Sequence, residues 1–384
     1  MNHITIIAGA RPNFMKIAPI INEIRKRKDE GVNIDYSLVH TGQHYDNNMS
    51  EVFFNELGIP KPRINLMVGS SSHGEQTAVM IQKIEQVLLK YKPHAVVVYG
   101  DTNSTLATAI AASKLHIPIV HIEAGLRSFN KKMPEEVNRI ACDHVSTLLF
   151  SPTKSGYSNL INEGFKKTLN VKATIDSPNI YHCGDVMYDN SLFFSKISDQ
   201  KSNIIEDLKL EDERFILVTV HRNDNTDSVI KLNELFSSFL EIIKKHQIKI
   251  VFPIHPRTSK MMDQLLDNEI KKEIEKSKLF KIISPASFLE MIALEKNATL
   301  IITDSGGVQK EAYFFKKPCI ILRPQTEWIE IVETKSAVIA DTSAVKISEA
   351  SNYFLTDPEL SFPPIFGKGN AASFIVEEMI SQFS

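Results

Sequence analysis

A chain of 384 residues has room for two domains of roughly 100–200 residues each, and 43% hydrophobic with 23% charged content is an ordinary globular balance. With 44 basic and 46 acidic residues the net charge is −2, which excludes a global positive field for nucleic acid or an anionic membrane; a phosphate-bearing ligand must be met by local cations. The cysteines Cys142, Cys183 and Cys319 are odd in number and far apart, which argues against a disulfide framework or zinc site and for a reducing, cytoplasmic setting.

Ile4–Ala8 is apolar and β-branched, Gly9-Ala10-Arg11-Pro12 breaks it, and Phe14–Arg27 has helical spacing. The N-terminus thus reads as a first strand and not as a signal peptide. Tyr36–His40 is a second strand, and Glu75–Tyr91 an amphipathic helix with Val79, Ile81, Ile84, Val87 and Leu88 apolar. Ala95–Tyr99 is a continuous apolar run, as expected of a buried parallel strand. Helix Thr105–Leu115, strand Ile117–Ile122, helix Glu135–Val145 and strand Thr147–Phe150 follow. The pattern restarts with strand Phe215–Val220, helix Val229–His246, strand Ile248–Ile254, strand Leu300–Thr303, helix Val308–Phe315 and strand Cys319–Leu322. No apolar run approaches the ~18 residues needed to span a bilayer.

This alternation predicts an α/β protein of two Rossmann-like doubly wound domains facing a cleft, with ligands at the carboxyl ends of both sheets. The polar stretch Lys167–Ser177 places the junction near residues 168–190, and the boundary is drawn at 175/176. The first domain then spans 1–175, the second 176–368, and the tail 369–384 is a helix that packs back on the first.

Candidate chemistry sits where strands end. Ser305-Gly306-Gly307 lies between a strand and a helix, so its backbone N–H groups can approach an oxyanion; the alternative is a tight βα turn. Glu311, one turn into that helix, is suited to accept from ribose hydroxyls. Gly9-Ala10-Arg11-Pro12 with Lys16 offers a second glycine turn with two cations, and lacks the dinucleotide GxGxxG pattern. Asp101 and Glu123 end two strands of one βαβ unit and should lie close together, although Asp101 has the alternative of capping the next helix. Glu135 and Glu136 open a helix, where acidic residues are ordinary macrodipole partners. His221-Arg222 and His255-Pro256-Arg257 each close a strand and suit an anionic ligand. His121 and His44 are further candidates. No metal-ligand spacing and no hydrolase nucleophile elbow is present.

Taken in order, the motifs are Gly9-Ala10-Arg11-Pro12 with Lys16, Thr41-Gly42-Gln43-His44, Gly100-Asp101-Thr102-Asn103-Ser104, His121-Ile122-Glu123-Ala124-Gly125-Leu126-Arg127, Pro134-Glu135-Glu136-Val137-Asn138-Arg139, Thr219-Val220-His221-Arg222, His255-Pro256-Arg257 and Thr303-Asp304-Ser305-Gly306-Gly307. The set resembles the non-hydrolysing UDP-N-acetylglucosamine 2-epimerases, from about residue 3 to about 365. The resemblance implies a fold shared with GT-B glycosyltransferases, a homodimer, no metal and no redox cofactor. It implies elimination of UDP from a UDP-HexNAc to an enzyme-held 2-acetamidoglucal, then re-addition. It assigns Asp101, Glu123, Glu135 and His221 to catalysis, and Arg11, Lys16, His255, Arg257, Ser305, Gly306, Gly307 and Glu311 to the nucleotide sugar. The chain departs from many simple members at Thr326-Glu327-Trp328-Ile329, which is similar to relatives acting on di-N-acetylated uronates. A GT-B glycosyltransferase would share the glycine turn but needs an acceptor groove and one main base.

Overall fold

The computed structural model describes residues 2–9, 11–42 and 58–383, with the backbone alone described at 2, 11 and 12. Gln43 and His44 lie outside the described residues. The chain divides into two compact units, 1–190 with 364–384, and 191–363.

Unit 1 holds seven strands, β1 (Asn2–Ala8), β2 (Ile34–His40), β3 (Ile64–Asn65), β4 (Ala95–Tyr99), β5 (Ile119–Ile122), β6 (Leu148–Ser151) and β7 (Asn179–His182), in the order 3-2-1-4-5-6-7. Unit 2 holds six, β8 (Phe215–Thr219), β9 (Lys249–Pro253), β10 (Phe280–Ile283), β11 (Leu300–Thr303), β12 (Cys319–Ile321) and β13 (Ala337–Ile339), in the order 10-9-8-11-12-13. Every pairing is parallel. Parallel neighbours need crossover connections, which put helices on both sheet faces. That is why β4 can be apolar at every position: all five of its residues are buried. Each fully buried Val or Ile contributes about 1.5–3 kcal/mol. The expected fold class, two Rossmann-like doubly wound domains, is the one the chain adopts.

In each sheet the strand order reverses between the first and fourth strands, at β1/β4 and at β8/β11. The carboxyl ends beside such a reversal are where open α/β sheets bind ligands. The local sequence sharpens the corners there. Thr102 caps the helix Asn103–Lys114, accepting from Thr105 N at 3.3 Å. Ser305 caps the helix Gly306–Phe314.

Some elements were not visible in the sequence. β7 is an edge strand within the region 168–190 read as a junction, and unit 1 runs on to Asn190. In the helix His73–Tyr91 the buried stripe is Gln76, Met80, Ile84 and Leu88, while Val79, Ile81 and Val87 are half-buried beside it; the sequence did not reveal the polar Gln76 in this stripe, where it is satisfied internally. It accepts from Asn103 Nδ2 at 2.9 Å and donates to Gly69 O at 2.8 Å. The terminal helix Ala371–Phe383 belongs to unit 1. Arg27 reaches Ser373 Oγ at 3.3 Å, and the Phe374 ring meets Tyr181 edge-on at 5.6 Å.

Candidate active site

In unit 1 the motif around Glu123 is organised by one buried carboxylate. Asp143, at the end of the helix Pro134–Asp143, accepts from His121 Nδ1 at 2.7 Å and from Gly125 N at 3.1 Å, and pairs with Arg127 Nη2 at 2.7 Å. His121 Nε2 reaches Gly100 O at 2.8 Å. Burial opposes a charge on His121, but Cys142 and Asp143 outweigh it and keep the ring protonated well above its usual range. Burial would likewise raise Asp143; His121 and Arg127 outweigh it and hold the carboxyl low. His121 and Arg127 are therefore structural, and the residue they frame is Glu123.

Glu123 is 6% exposed, with φ +68°. A left-handed backbone at a non-glycine residue costs about 1–3 kcal/mol and persists only where its surroundings impose it. Gly100 makes room: a Cβ there would stand 3.0 Å from Glu123 Oε2. Lys16, on the helix Arg11–Asp29, donates to the same oxygen at 2.7 Å. One of the expected phosphate cations is thus engaged by one of the expected catalytic carboxylates. Arg11 has its side chain outside the described residues.

Asp101 does not cap the following helix, since Thr102 does. Its carboxylate pairs with Arg139 Nη2 at 2.5 Å, and its carbonyl accepts from Asn138 at 2.9 Å. Glu135 is exposed and lies three and four residues before Asn138 and Arg139, on the same helical face. Its neighbour Glu136 is buried and accepts from Ser128 N at 2.7 Å and Phe129 N at 3.1 Å, which makes it a loop anchor.

In unit 2 the ends of β8, β9 and β11 surround a hollow of about 210 Å³, lined by His221, His255, Ser305, Ile254, Pro285 and Met291 among others. His221 Nδ1 lies 3.1 Å from Asp304 Oδ1, and its ring is 5.9 Å from that of His255. Asp304 is fully buried and also accepts from His221 N at 3.0 Å, Arg222 N at 3.0 Å and Asn225 Nδ2 at 3.2 Å. Burial would raise its carboxyl, but these hydrogen bonds hold it below the usual range. A carboxylate so held fixes the ring orientation and tautomer of His221.

The N–H groups of Gly306 and Gly307 open their helix and have no acceptor within it. A Cβ on Gly306 would meet nothing closer than Arg323 Nη1 at 3.6 Å, so the glycine leaves approach space without being required by packing. Trp328 closes one side: its Nε1 donates to Gly306 O at 3.0 Å, and Lys310 Nζ sits 4.2 Å over its ring. Arg323 grips Glu327 with two hydrogen bonds of 2.8 Å. Burial lowers the His255 ring below its usual range, with His221 and Arg257 adding to it. Arg257 is partly turned away, bonded to Asp227 at 2.5 Å.

The candidates thus gather at strand ends: Lys16 with Glu123, Asp101 on the next strand, His221 with His255, and Ser305 with Gly306 and Gly307. Sequence reasoning missed the roles of Asp143, Arg139 and Asp304. Asp304 had a signal, since it closes β11 beside the strand that carries His221.

Two parallel, doubly wound units, with a glycine turn opening a helix in one and carboxylates at strand ends in the other, define an α/β protein of the two-domain Rossmann-like class. Residues 25–380 match the UDP-N-acetylglucosamine 2-epimerase family. A UDP-N-acetylglucosamine 2-epimerase homolog of Methanococcus maripaludis is 46% identical over 97% of this chain and 98% of its own. The UDP-2,3-diacetamido-2,3-dideoxy-D-glucuronate 2-epimerase of Pseudomonas aeruginosa is 43% identical over 98% and 99%. The crystal structure of Methanocaldococcus jannaschii UDP-GlcNAc 2-epimerase, in complex with UDP-GlcNAc and UDP, is 40% identical and superposes with a TM-score of 0.80, covering 98% of this chain and 99% of that one. The chain belongs to the UDP-N-acetylglucosamine 2-epimerase family and is an isomerase. Among the described residues no helix is long and apolar enough to cross a membrane.

Proposed function

We propose that the chain interconverts UDP-N-acetylglucosamine and UDP-N-acetylmannosamine. The observation that carries the reading is Glu123, nearly buried, strained at its backbone and ion-paired to Lys16 at a strand end. A base takes the proton from C2 of the sugar, the C1–O bond to UDP breaks, and a C1–C2 double bond forms in an enzyme-held 2-acetamidoglucal. UDP then re-adds at C1 while an acid delivers a proton to the other face of C2. Inversion needs proton access to both faces, so more than one acid–base group is required. Asp101, Glu123 and Glu135 supply them, with His221, oriented by Asp304, assisting. UDP leaves as an anion. The Gly306 and Gly307 N–H groups with Ser305, Lys16, Arg11, His255 and Arg257 bind it and stabilise the developing charge, and Glu311 takes the ribose. Neither the elimination nor the re-addition transfers a hydride, so this route needs no redox cofactor. We infer a homodimer working in the cytoplasm; the three free cysteines support a reducing compartment.

A second reading, a 2-epimerase of a UDP-2,3-diacetamido uronate, is favoured by Trp328 against Gly306 and by the Pseudomonas aeruginosa relative. Incubation with a panel of UDP-sugars followed by NMR tests both. Turnover of UDP-N-acetylglucosamine to its C2 epimer is expected; turnover of the uronate alone would select the second reading. UDP release only on adding an acceptor sugar would establish a glycosyltransferase instead.

A further inference from the structure

Behind the glycine turn lies a second carboxyl group that the reaction does not use. Glu295, near the end of the helix Phe288–Asn297, is 1% exposed. Its side chain hydrogen-bonds Glu311 on the neighbouring helix, and its Oε2 has no partner among the described residues. Glu311 is aimed at the start of its own helix: a Cβ on Gly307 would lie 4.0 Å from Glu311 Oε2 and 3.8 Å from Ser305 Oγ. Two ionised carboxylates cannot share a buried contact, so the pair retains a proton. The other titratable groups around it are Lys310 beside Glu311 and the buried Cys319 thiol beside Glu295. Burial pushes both carboxyls up, Glu295 well above the usual range. Lys310 and the Glu295 hydrogen bond pull Glu311 back. The two carboxyls therefore hold one proton between them, with Glu295 the more strongly raised of the pair.

We propose that Glu295 is a positioning residue for the nucleotide: its buried side chain, hydrogen-bonded to Glu311, holds the Glu311 oxygen on the Gly307 side ready to accept from the ribose diol. The inference rests on the reading of Glu311 as the ribose ligand. Calorimetric titration of the full chain with UDP and with 2′,3′-dideoxy-UDP, between about pH 6 and pH 9, tests it. Glu295→Leu removes this hydrogen bond and is expected to weaken UDP about tenfold or more near pH 6, leaving dideoxy-UDP unchanged. Glu295→Gln keeps an N–H donor but cannot titrate. It is expected to bind UDP within about threefold of wild type near pH 6, and to lack the additional fall that wild-type affinity shows as rising pH removes the shared proton. Glu311→Gln separates the two levels of the argument. If it weakens UDP but not dideoxy-UDP, while both Glu295 variants follow the wild-type affinity and pH profile, the role of Glu295 is overturned and the ribose reading stands. If Glu311→Gln binds UDP like wild type, the ribose reading falls and takes this inference with it. Should Glu295→Leu not fold, the pH profile of Glu295→Gln decides, and a profile parallel to wild type overturns the proposal.

Discussion

Asp304 shows how a residue with no direct chemistry decides what its neighbour can do. It is fully buried, yet its carboxyl is held below the usual carboxylate range by hydrogen bonds centred on His221. A group whose folded pKa is depressed stabilises the fold above its unfolded pKa, and that stabilisation is lost as pH falls through the folded pKa. Replacing it by Asn leaves the β8 and β11 ends short of an acceptor, at a cost of roughly 3 kcal/mol. In urea titrations the gap between wild type and Asp304→Asn should be full at about pH 6 and should narrow below about pH 4; a gap independent of pH would mean that Asp304 is not ionised in the folded protein. The same substitution should slow epimerisation, because His221 loses the carboxylate that sets its tautomer.

The element that carries Glu123 depends on a close approach of two segments. Gly125 has φ +78°, and a Cβ there would lie 2.2 Å from Gly156 O. Gly125→Ala should therefore cost about 3 kcal/mol or more and lower the thermal midpoint by several degrees; an unchanged midpoint would show that the two segments separate easily. Gly306 is the contrast. Its Cβ position is open, so Gly306→Ala should melt like wild type, and its effect should appear as weaker UDP binding by calorimetry. Unchanged affinity would remove the glycine turn from the phosphate site. This difference also marks what the sequence could reveal. Strands such as Ala95–Tyr99, and the motifs that end them, were legible because apolar runs and strand-end residues are local signals. The fate of His121 was not, because its partner Asp143 lies 22 positions away. Glu135 and Glu136 look alike in sequence, yet one is exposed and the other is bonded to the Ser128 and Phe129 N–H groups. β7 was hidden because it is only four residues long, Asn-Ile-Tyr-His, and directly follows a polar stretch. The charged pairs that tune the site, Lys16 with Glu123 and Arg139 with Asp101, join residues 107 and 38 positions apart, and no periodicity reports them.

At the scale of the whole molecule, the two units share a six-strand order, to which unit 1 adds β7 at its edge. Unit 1 presents carboxylates at the ends of β4 and β5, and unit 2 presents a glycine turn, two histidines and their buried carboxylate at the ends of β8, β9 and β11. With a net charge of −2, the overall field does not favour an anion, so the proposed binding of a nucleoside diphosphate rests on these local groups. The central claim is proton exchange at C2 without redox chemistry. Its most direct test is incubation of the protein with UDP-N-acetylglucosamine in D₂O, with no acceptor and no added NAD, read by NMR for wild type and for Glu123→Gln. Both C2 epimers should appear carrying deuterium at C2, and Glu123→Gln should slow exchange by about 10²–10⁴-fold while still binding UDP. Epimers that retain the original hydrogen at C2 would contradict the account, because a different bond would then be the one that breaks.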